Sequence, residues 1–233
     1  MSYDSYLSSL NPSLWWKLAD VVGSVTALDS SGNGHTGSVV GTVTFGSSSA
    51  PTVISPATSA LFDGTSGLVT ISSNVIGASP TQLSLVCWFR TVGSIAAPVI
   101  FDIESPSNSS YVDVAIVSGK VRFECGIGTT TTASSSASVN DGNWHMAVLT
   151  LNTSHVMNGY IDGVSVISPT TVVNPSLNMG TPFTRMGSDL FGDYFSGYMC
   201  EGAVFNYALS STQISALYAG SAPAVPSNLL AFT

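Results

Sequence analysis

A chain of 233 residues lies within the range of a single β-sandwich domain and is long enough to bury a core without disulfides or metals. Charged residues make up only 8% of it, with five basic and thirteen acidic residues giving a net charge of −8. So few basic residues cannot neutralise a run of phosphates, which excludes nucleic acid as a partner and disfavours anionic membrane surfaces.

The first residues, Met-Ser-Tyr-Asp-Ser-Tyr, contain neither a basic segment nor an apolar stretch, which predicts the absence of a signal peptide. No run of about 18 apolar residues occurs in the sequence, so we expect no membrane insertion. The Ser-rich run Gly46–Ala50 is predicted to be a loop, and so is Thr129–Ser138, although the second run could contain a strand.

Short segments in which apolar and polar residues alternate continue along most of the chain, separated by Gly, Pro, Asn and Asp. The alternation predicts strands at Ser59–Phe62, Leu68–Ser72, Leu83–Thr91, Pro98–Ile103, Tyr111–Val117, Val121–Ile127, Trp144–Leu151, His155–Ile161 and Gly197–Phe205. Turns are predicted at Asp63-Gly64, Ser118-Gly119, Asp141-Gly142, Asn158-Gly159 and Asp162-Gly163. So many closely spaced strands are typical of an antiparallel sandwich or barrel.

The three cysteines, Cys87, Cys125 and Cys200, are an odd number without a C-x-x-C pair, which argues against a disulfide framework and a zinc site. Cys87 and Cys125 alternate with apolar neighbours, so we interpret them as small core residues.

One short helix is predicted near the C-terminus. Ser210 and Gln213 have the spacing of a capping box, Leu217 belongs to an apolar stripe, and Gly220 stands where a helix-ending glycine belongs. Residues 1–220 are therefore expected to form one domain, and 221–233 an extended tail. The tail ends in apolar residues such as Phe232, which predicts docking onto a neighbouring molecule.

Five sequence blocks occur in the order found in concanavalin-A-like, laminin-G-type jelly rolls. They are Pro12–Leu18, Asp29–Gly37, Leu61–Gly64 with Gly67–Val69, Asp141–Ala147 with Gly159–Gly163, and Phe195–Gly197 through Ala208–Ser210 to Tyr218. The chain resembles this family over about residues 10–220, which implies an all-β, antiparallel jelly-roll sandwich. The opening block also resembles laminin-G-domain proteins of tailed bacteriophage virions.

Many members of the family bind calcium through loop oxygens, so the resemblance implies Asp29 and Asn33 as calcium ligands. Alternatively, the two side chains cap a Gly-rich turn. Asp63, Asp141 and Asp162 each precede a glycine and are interpreted as turn residues. The family often has Asp at the position of Cys200, so a role carried by that carboxylate is in doubt.

Asp102 and Glu104 are the best candidates for catalytic carboxylates, because they are two residues apart on a predicted strand and share one face. Jelly-roll glucanases carry Glu-x-Asp-x-x-Glu on such a strand, whereas here the third carboxylate is absent and Pro106 interrupts the strand. We therefore interpret the two as a strand-end pair facing solvent and expect no catalytic residues. His145 is expected to pack in the core.

Exposed aromatic rings could hold a sugar by stacking. The candidates are Trp15, Trp16, Tyr194 and Tyr198, although Trp16 and Trp88 are expected to fill the core. Together, these patterns predict a non-enzymatic phage virion protein of the capsid surface or tail. It is expected to be homo-oligomeric, to contact other virion proteins, and to bind a host-surface glycan. The alternative is a calcium-dependent carbohydrate-binding module.

Overall fold

A computed structural model describes residues 2–55, 57–93, 98–105, 110–173, 176–180 and 182–220. The strands in chain order are β1 (Leu14–Trp16), β2 (Thr26–Ala27), β3 (Gly37–Val40), β4 (Val43–Ser47), β5 (Ser59–Asp63), β6 (Leu68–Ile71), β7 (Leu83–Val92), β8 (Val99–Ser105), β9 (Ser110–Val117), β10 (Lys120–Ile127), β11 (Thr129–Ser138), β12 (Asp141–Leu151), β13 (Val156–Ile161), β14 (Val164–Ser165), β15 (Thr170–Thr171), β16 (Phe183–Met186) and β17 (Ser196–Phe205). The helices are α1 (Tyr3–Ser9) and α2 (Ser211–Tyr218).

The strands form two antiparallel sheets, which confirms the predicted all-β sandwich. The first sheet has the order β14-β13-β12-β7-β17-β5-β4, with β1 also paired to β17 and β15 to β13. The second has the order β11-β10-β9-β8-β16-β6-β3-β2. Neighbouring strands in both sheets therefore often come from distant parts of the sequence, as Greek-key connections require.

The main core lies between the two sheets. Its largest fully buried side chains include Trp16, Phe62, Phe89, Phe101 and Phe123, and each faces inward because successive side chains of a strand alternate between the faces of a sheet. Each buried phenylalanine contributes roughly 2 kcal/mol of hydrophobic stabilisation. The outward positions of the second sheet are consequently free for polar side chains.

The outer face of the first sheet is covered by the two helices, which pack on a second cluster that includes Trp15, Trp88 and Phe205. Ser210 caps α2 through a complete capping box with Gln213, as predicted. The expectation of a single helix is wrong, because α1 forms at the N-terminus. Tyr3, Tyr6 and Leu7 of α1 are buried, and this short i, i+3, i+4 stripe lies among serines that obscure it in the sequence.

The turns at Asp63-Gly64, Ser118-Gly119 and Asp162-Gly163 are confirmed, since their glycines all have positive φ. The predicted turn at Asn158-Gly159 is wrong. Both residues lie inside β13, where Gly159 packs against the Phe123 ring and a Cβ would lie 2.4 Å from that ring.

Two other expectations change. Asp141 and Gly142 open β12 with an irregularity in its pairing to β7 instead of forming a separate turn. The Thr/Ser run Thr129–Ser138 is the edge strand β11, paired to β10 along its length, and Gly46 belongs to β4. Threonine and serine are suited to an edge strand, because their hydroxyl groups can form hydrogen bonds with water on its exposed face.

No helix within the described residues is long and apolar enough to cross a membrane.

Candidate functional site: an acidic groove

A row of charged side chains crosses the outward face of the second sheet. Arg185 of β16 lies directly opposite Asp102 of β8, Asp102 lies opposite Asp113 of β9, and Asp113 lies opposite Glu124 of β10. Like charges directly opposite each other destabilise a sheet. Three carboxyl groups in one row on adjacent strands are therefore difficult to explain by folding alone.

The two arginines at this site are already paired. Arg185 lies 3.2 Å from the Asp102 carboxylate and 3.9 Å from that of Glu104. Arg122 lies 2.9 Å from the Glu124 carboxylate and 3.5 Å from Oδ2 of Asp113. Each arginine bridges two acids and so offsets part of their repulsion.

The carboxyl group of Asp113, at the centre of the row, has only part of its hydrogen-bonding capacity used. It is 7% exposed, and its Oδ1 atom is buried without a hydrogen-bond partner among the described residues. A buried polar atom without a partner costs about 1–3 kcal/mol, so a structure that retains one calls for an explanation. A ligand that donates a hydrogen bond into the groove would satisfy this oxygen.

The row forms the floor of a groove with a volume of about 640 Å³. Residues 189–193 form one side, where Oδ1 of Asp189 accepts hydrogen bonds from the backbone N–H groups of Phe191 and Asp193 at 2.8 and 3.1 Å. This turn presents Leu190 and Phe191 at the groove, with Phe191 84% exposed. Six carboxyl groups line the groove: Asp102, Glu104, Asp113, Glu124, Asp189 and Asp193.

Burial and mutual repulsion raise the pKa values of Asp102 and Asp113. Burial, followed by the Glu124 carboxylate, raises the pKa of Asp113 to about 8. Burial, followed by the Glu104 and Asp113 carboxylates, raises the pKa of Asp102 well above its usual range despite Arg185. The floor of the groove thus contains a carboxyl group, that of Asp113, with a pKa of about 8.

The interpretation of Asp102 and Glu104 as a strand-end pair facing solvent is wrong for Asp102, which is only 2% exposed. The two side chains do share one face, as the spacing predicts, but that face forms the floor of the groove. Pro106, which was expected to interrupt the strand, lies outside the described residues.

The other groove residues were missed by sequence reasoning. Asp113 and Glu124 occupy the polar positions of the alternating strands β9 and β10, so alternation alone could have placed them on the outward face. Phe191 lies two residues after Asp189 in a short turn, an unusual place for a large aromatic residue, which is the signal that could have identified it.

Asp29 lies in the loop after β2, outside the groove. Its Oδ1 accepts hydrogen bonds from the backbone N–H groups of Trp15 and Ser31, and its Oδ2 accepts them from the His35 N–H and the Ser31 hydroxyl, at 2.8–3.0 Å. Partial burial raises the pKa of Asp29, but these hydrogen bonds outweigh that effect and lower the pKa below its usual value. The turn-capping alternative predicts this arrangement.

Asn33 donates hydrogen bonds from Nδ2 to the carbonyls of Pro12 and Ser13 at 3.2 and 3.1 Å. It borders a polar cavity of about 590 Å³ between this loop and the end of α1. Within the described chain, no three side chains of His, Cys, Asp or Glu are grouped so that they could hold a metal ion. A calcium ion at Asp29 and Asn33 would need further backbone oxygens, and its presence stays a prediction.

The aromatic residues predicted to stack on a sugar differ in how deeply they are buried. Trp15, Trp16 and Trp88 are 3% exposed or less, so the expected core positions of Trp16 and Trp88 are confirmed and Trp15 cannot act as an exposed platform. Tyr194 and Tyr198 are half-buried and do not line the acidic groove.

His145 does not pack in the core as expected. It is half-buried, with Nδ1 lying 2.7 Å from Oδ2 of Asp162 and Nε2 lying 3.2 Å from Oδ1 of Asp141. The Asp162 hydrogen bond raises the pKa of His145. Asp141 and Asp162 are therefore ion-pair partners as well as turn residues.

All three cysteines are buried and unpaired, which confirms Cys87 and Cys125 as core residues. Next to Cys200, Glu201 is a buried acid that the sequence did not reveal. Its Oε2 accepts a 2.6 Å hydrogen bond from Nε1 of Trp15, and burial raises its pKa to about 8. Glu201 faces the second core, so it has a structural role away from the groove.

Comparison with known proteins supplies a family and a set of similar folds. The family model described as the concanavalin A-like lectin/glucanases superfamily (Laminin_G_3) matches residues 63–215. No curated protein sequence matches the chain.

Among solved structures, domain 4 of AbnA, an extracellular arabinanase from Geobacillus stearothermophilus in complex with arabinotriose, superposes with a TM-score of 0.69. It is 17% identical, and the match covers 89% of this chain and 98% of that domain. The binding domain of Paraclostridial Mosquitocidal Protein 1 superposes with a TM-score of 0.70 at 13% identity. That match covers 91% of this chain and 52% of the other chain.

A structure of botulinum neurotoxin type C, whose cell entry depends on two ganglioside molecules, gives a TM-score of 0.68 at 19% identity. The match covers 91% of this chain and 52% of the neurotoxin chain. This chain thus spans about half of each toxin chain and nearly the whole arabinanase domain. At sequence identities this low, the structural similarity shows a shared fold and no more.

Proposed function

Because the chain belongs to the concanavalin A-like lectin/glucanases superfamily, we propose that it is a non-catalytic glycan-binding module whose acidic groove holds the sugar. The observation that carries the proposal is the row Asp102, Asp113 and Glu124 beside the exposed ring of Phe191. A row of opposed carboxyl groups lowers stability, and proteins retain such local costs where a site needs them.

The groove supplies both kinds of contact that a sugar needs. Ionised carboxylates accept hydrogen bonds from hydroxyl groups, and a bond to a charged acceptor is stronger than one between neutral groups. The exposed face of Phe191 and the side chain of Leu190 offer an apolar surface for the C–H face of a sugar ring. Binding domains of similar fold occur in a protein that binds arabinotriose and in one that depends on gangliosides, which supports the proposal.

We propose binding without cleavage. Glycoside hydrolysis needs one ionised carboxylate free to act as a nucleophile or base and one protonated acid. Asp113, whose pKa is raised to about 8, can stay protonated, but Glu124 is held by Arg122 at 2.9 Å and Asp102 is held by Arg185 at 3.2 Å. The carboxylates that would have to react are thus engaged in ion pairs.

A virion location is a further part of the proposal. It is supported by the resemblance of Pro12–Leu18 to phage proteins and by a surface with few charges, which can be buried against another subunit at little desolvation cost. On this proposal residues 1–220 form the binding domain, and the tail 221–233 docks it to virion proteins or to further copies of the chain. Light scattering of the full chain and of a chain ending at Gly220 tests the role of the tail. A truncated chain that assembles like the full chain would exclude docking by the tail.

A glycan array tests the binding proposal. The full chain is applied beside a Phe191→Ala variant, which removes an exposed ring and leaves the fold intact. We expect the wild type to bind a subset of glycans and the variant to lose most of that signal. A reducing-sugar assay on the bound glycans completes the test, since release of reducing ends would overturn the non-catalytic assignment.

A further inference from the structure

The acidic groove has a strong excess of negative charge. Six of the thirteen acidic residues of the chain line it, whereas only two of the five basic residues, Arg122 and Arg185, form ion pairs with these acids in the described structure. Both arginines form ion pairs with these acids, and Arg122 keeps one buried donor, Nε, without a hydrogen-bond partner among the described residues. A glycan bearing carboxylate or sulfate groups would face repulsion from the floor and one side of the groove.

We propose that the glycan bound in this groove carries protonated amino groups, as in an oligosaccharide of unacetylated amino sugars. This inference rests on the proposed function and narrows it to a class of sugar. An ammonium group donates three hydrogen bonds and is attracted by the net negative charge of the groove. A neutral sugar of the same shape offers the hydrogen bonds without that attraction.

A second observation, independent of the charge count, points to a hydrogen-bond donor at the centre of the groove. Asp113 is 7% exposed, lines the groove, and has an Oδ1 atom without a hydrogen-bond partner in the part of the chain that the structure describes. Each neighbour across the sheet, Asp102 and Glu124, is also an acid. A donor from outside the protein that carries positive charge satisfies the orphaned oxygen and at the same time favours the ionised form of the carboxyl groups in the row.

The exposed aromatic residue favours a sugar over a simple aliphatic amine. Phe191 stands at the side of the groove, where the face of a pyranose ring can stack while its amino group reaches the carboxyl groups below. A linear polyamine has the charge but no ring face. Dependence of binding on both Asp113 and Phe191 therefore characterises an amino sugar.

Isothermal titration calorimetry of the full chain tests the inference at about pH 6, where free amines are protonated. The probes are a β-1,4-linked tetramer of glucosamine, its fully N-acetylated counterpart, and spermidine. We expect the glucosamine tetramer to bind at least about tenfold more tightly than the acetylated tetramer, as the loss of a charge-assisted contact implies. In about 1 M NaCl, where the Debye length is roughly 3 Å, this preference should decrease strongly.

Variants make the outcome specific. Glu124→Gln removes one groove charge and should reduce the preference for the amine, whereas Asp20→Asn makes the same charge change outside the groove and should leave it unchanged. Equal affinity for both tetramers would overturn the amino-sugar inference and leave glycan binding intact. Spermidine binding as tight as that of the glucosamine tetramer, and insensitive to Phe191→Ala, would also overturn it. Binding of no saccharide at all, here or on the array, would overturn the proposed function as well.

Discussion

The guanidinium group of Arg185 donates a 3.2 Å hydrogen bond to the carboxyl group of Asp102, its direct neighbour on the adjacent strand, and the two residues are 5% and 2% exposed. This buried pair anchors one end of the row that crosses the groove. Removing one partner of a buried pair leaves the other without compensation, which costs about 3–5 kcal/mol.

Arg185→Leu is therefore expected to lower the free energy of unfolding by about 3 kcal/mol. Asp102→Asn should cost less, because the amide oxygen of asparagine can still accept the hydrogen bond from Arg185. Urea denaturation at neutral pH measures both changes. Equal stability of wild type and Arg185→Leu would show that the pair does not hold the floor of the groove.

Asp113 should make stability depend on pH. Its pKa is raised to about 8, first by burial and then by Glu124, whereas in the unfolded chain it is about 4. Between these values the folded state holds a proton that the unfolded state releases, so its contribution to stability decreases as pH rises from about 4 to about 8. The charged groups around it are Asp102, Glu104, Glu124, Arg122 and Asp189.

Asp113→Asn cannot ionise and should flatten this pH dependence. At about pH 8 the variant is expected to be more stable than the wild type by about 1 kcal/mol, the size of a cross-strand like-charge repulsion. Thermal melts over this pH range provide the measurement. The idea fails if the variant shows the same slope as the wild type.

His145 should also make stability decrease as pH rises, through an ion pair instead of a like-charge repulsion. Its hydrogen bond to Asp162 raises its pKa above the unfolded value of about 6.5, so the stabilisation is fully present below that pH and is lost as pH rises through the folded pKa. Asp162→Asn keeps the turn, since asparagine tolerates positive φ, but weakens this pair. We expect the variant to have a free energy of unfolding about 1 kcal/mol lower than the wild type at about pH 6, and a smaller difference at about pH 9. A loss that is the same at both values would contradict the ion pair.

The calcium proposal predicts that calcium added to EDTA-treated protein raises its Tm, because an ion bound only by the folded state stabilises it by mass action. Asp29→Asn should then abolish the response. The same substitution disturbs the hydrogen bonds to Ser31 and His35, so it is expected to cost about 1 kcal/mol even without calcium. A Tm that neither EDTA nor calcium alters would leave turn capping as the role of Asp29 and Asn33.

The strands could be predicted from the sequence because a half-buried sheet imposes alternation, which is plain in the sequences of β9 and β10. The two-residue turn Ser118-Gly119 even fixes the register that sets Asp113 opposite Glu124. Helix α1 was missed because its stripe is only two turns long and lies among serines.

The rest of the groove could not be predicted, since it depends on pairings between distant segments. The pairing that sets Asp102 opposite Asp113 includes an irregularity between Val99 and Phe101, which sequence patterns do not position. Arg185 comes from a four-residue strand about eighty positions later in the chain than Asp102, and only the folded topology brings it beside that acid. Single residues could thus be assigned to a face of the sheet, but their arrangement in one row across four strands could not be predicted.

The most direct test of the central claim is a calorimetric titration of an array-selected glycan into four proteins. These are the wild type, Glu124→Gln and Phe191→Ala in the groove, and Asp20→Asn outside it as the charge-matched control. We expect the two groove variants to bind at least about tenfold more weakly, the loss typical of a charge-assisted hydrogen bond or a stacked ring, while the control binds like the wild type. Wild-type affinity in both groove variants, with all four proteins folded, would show that the sugar binds elsewhere and contradict the account.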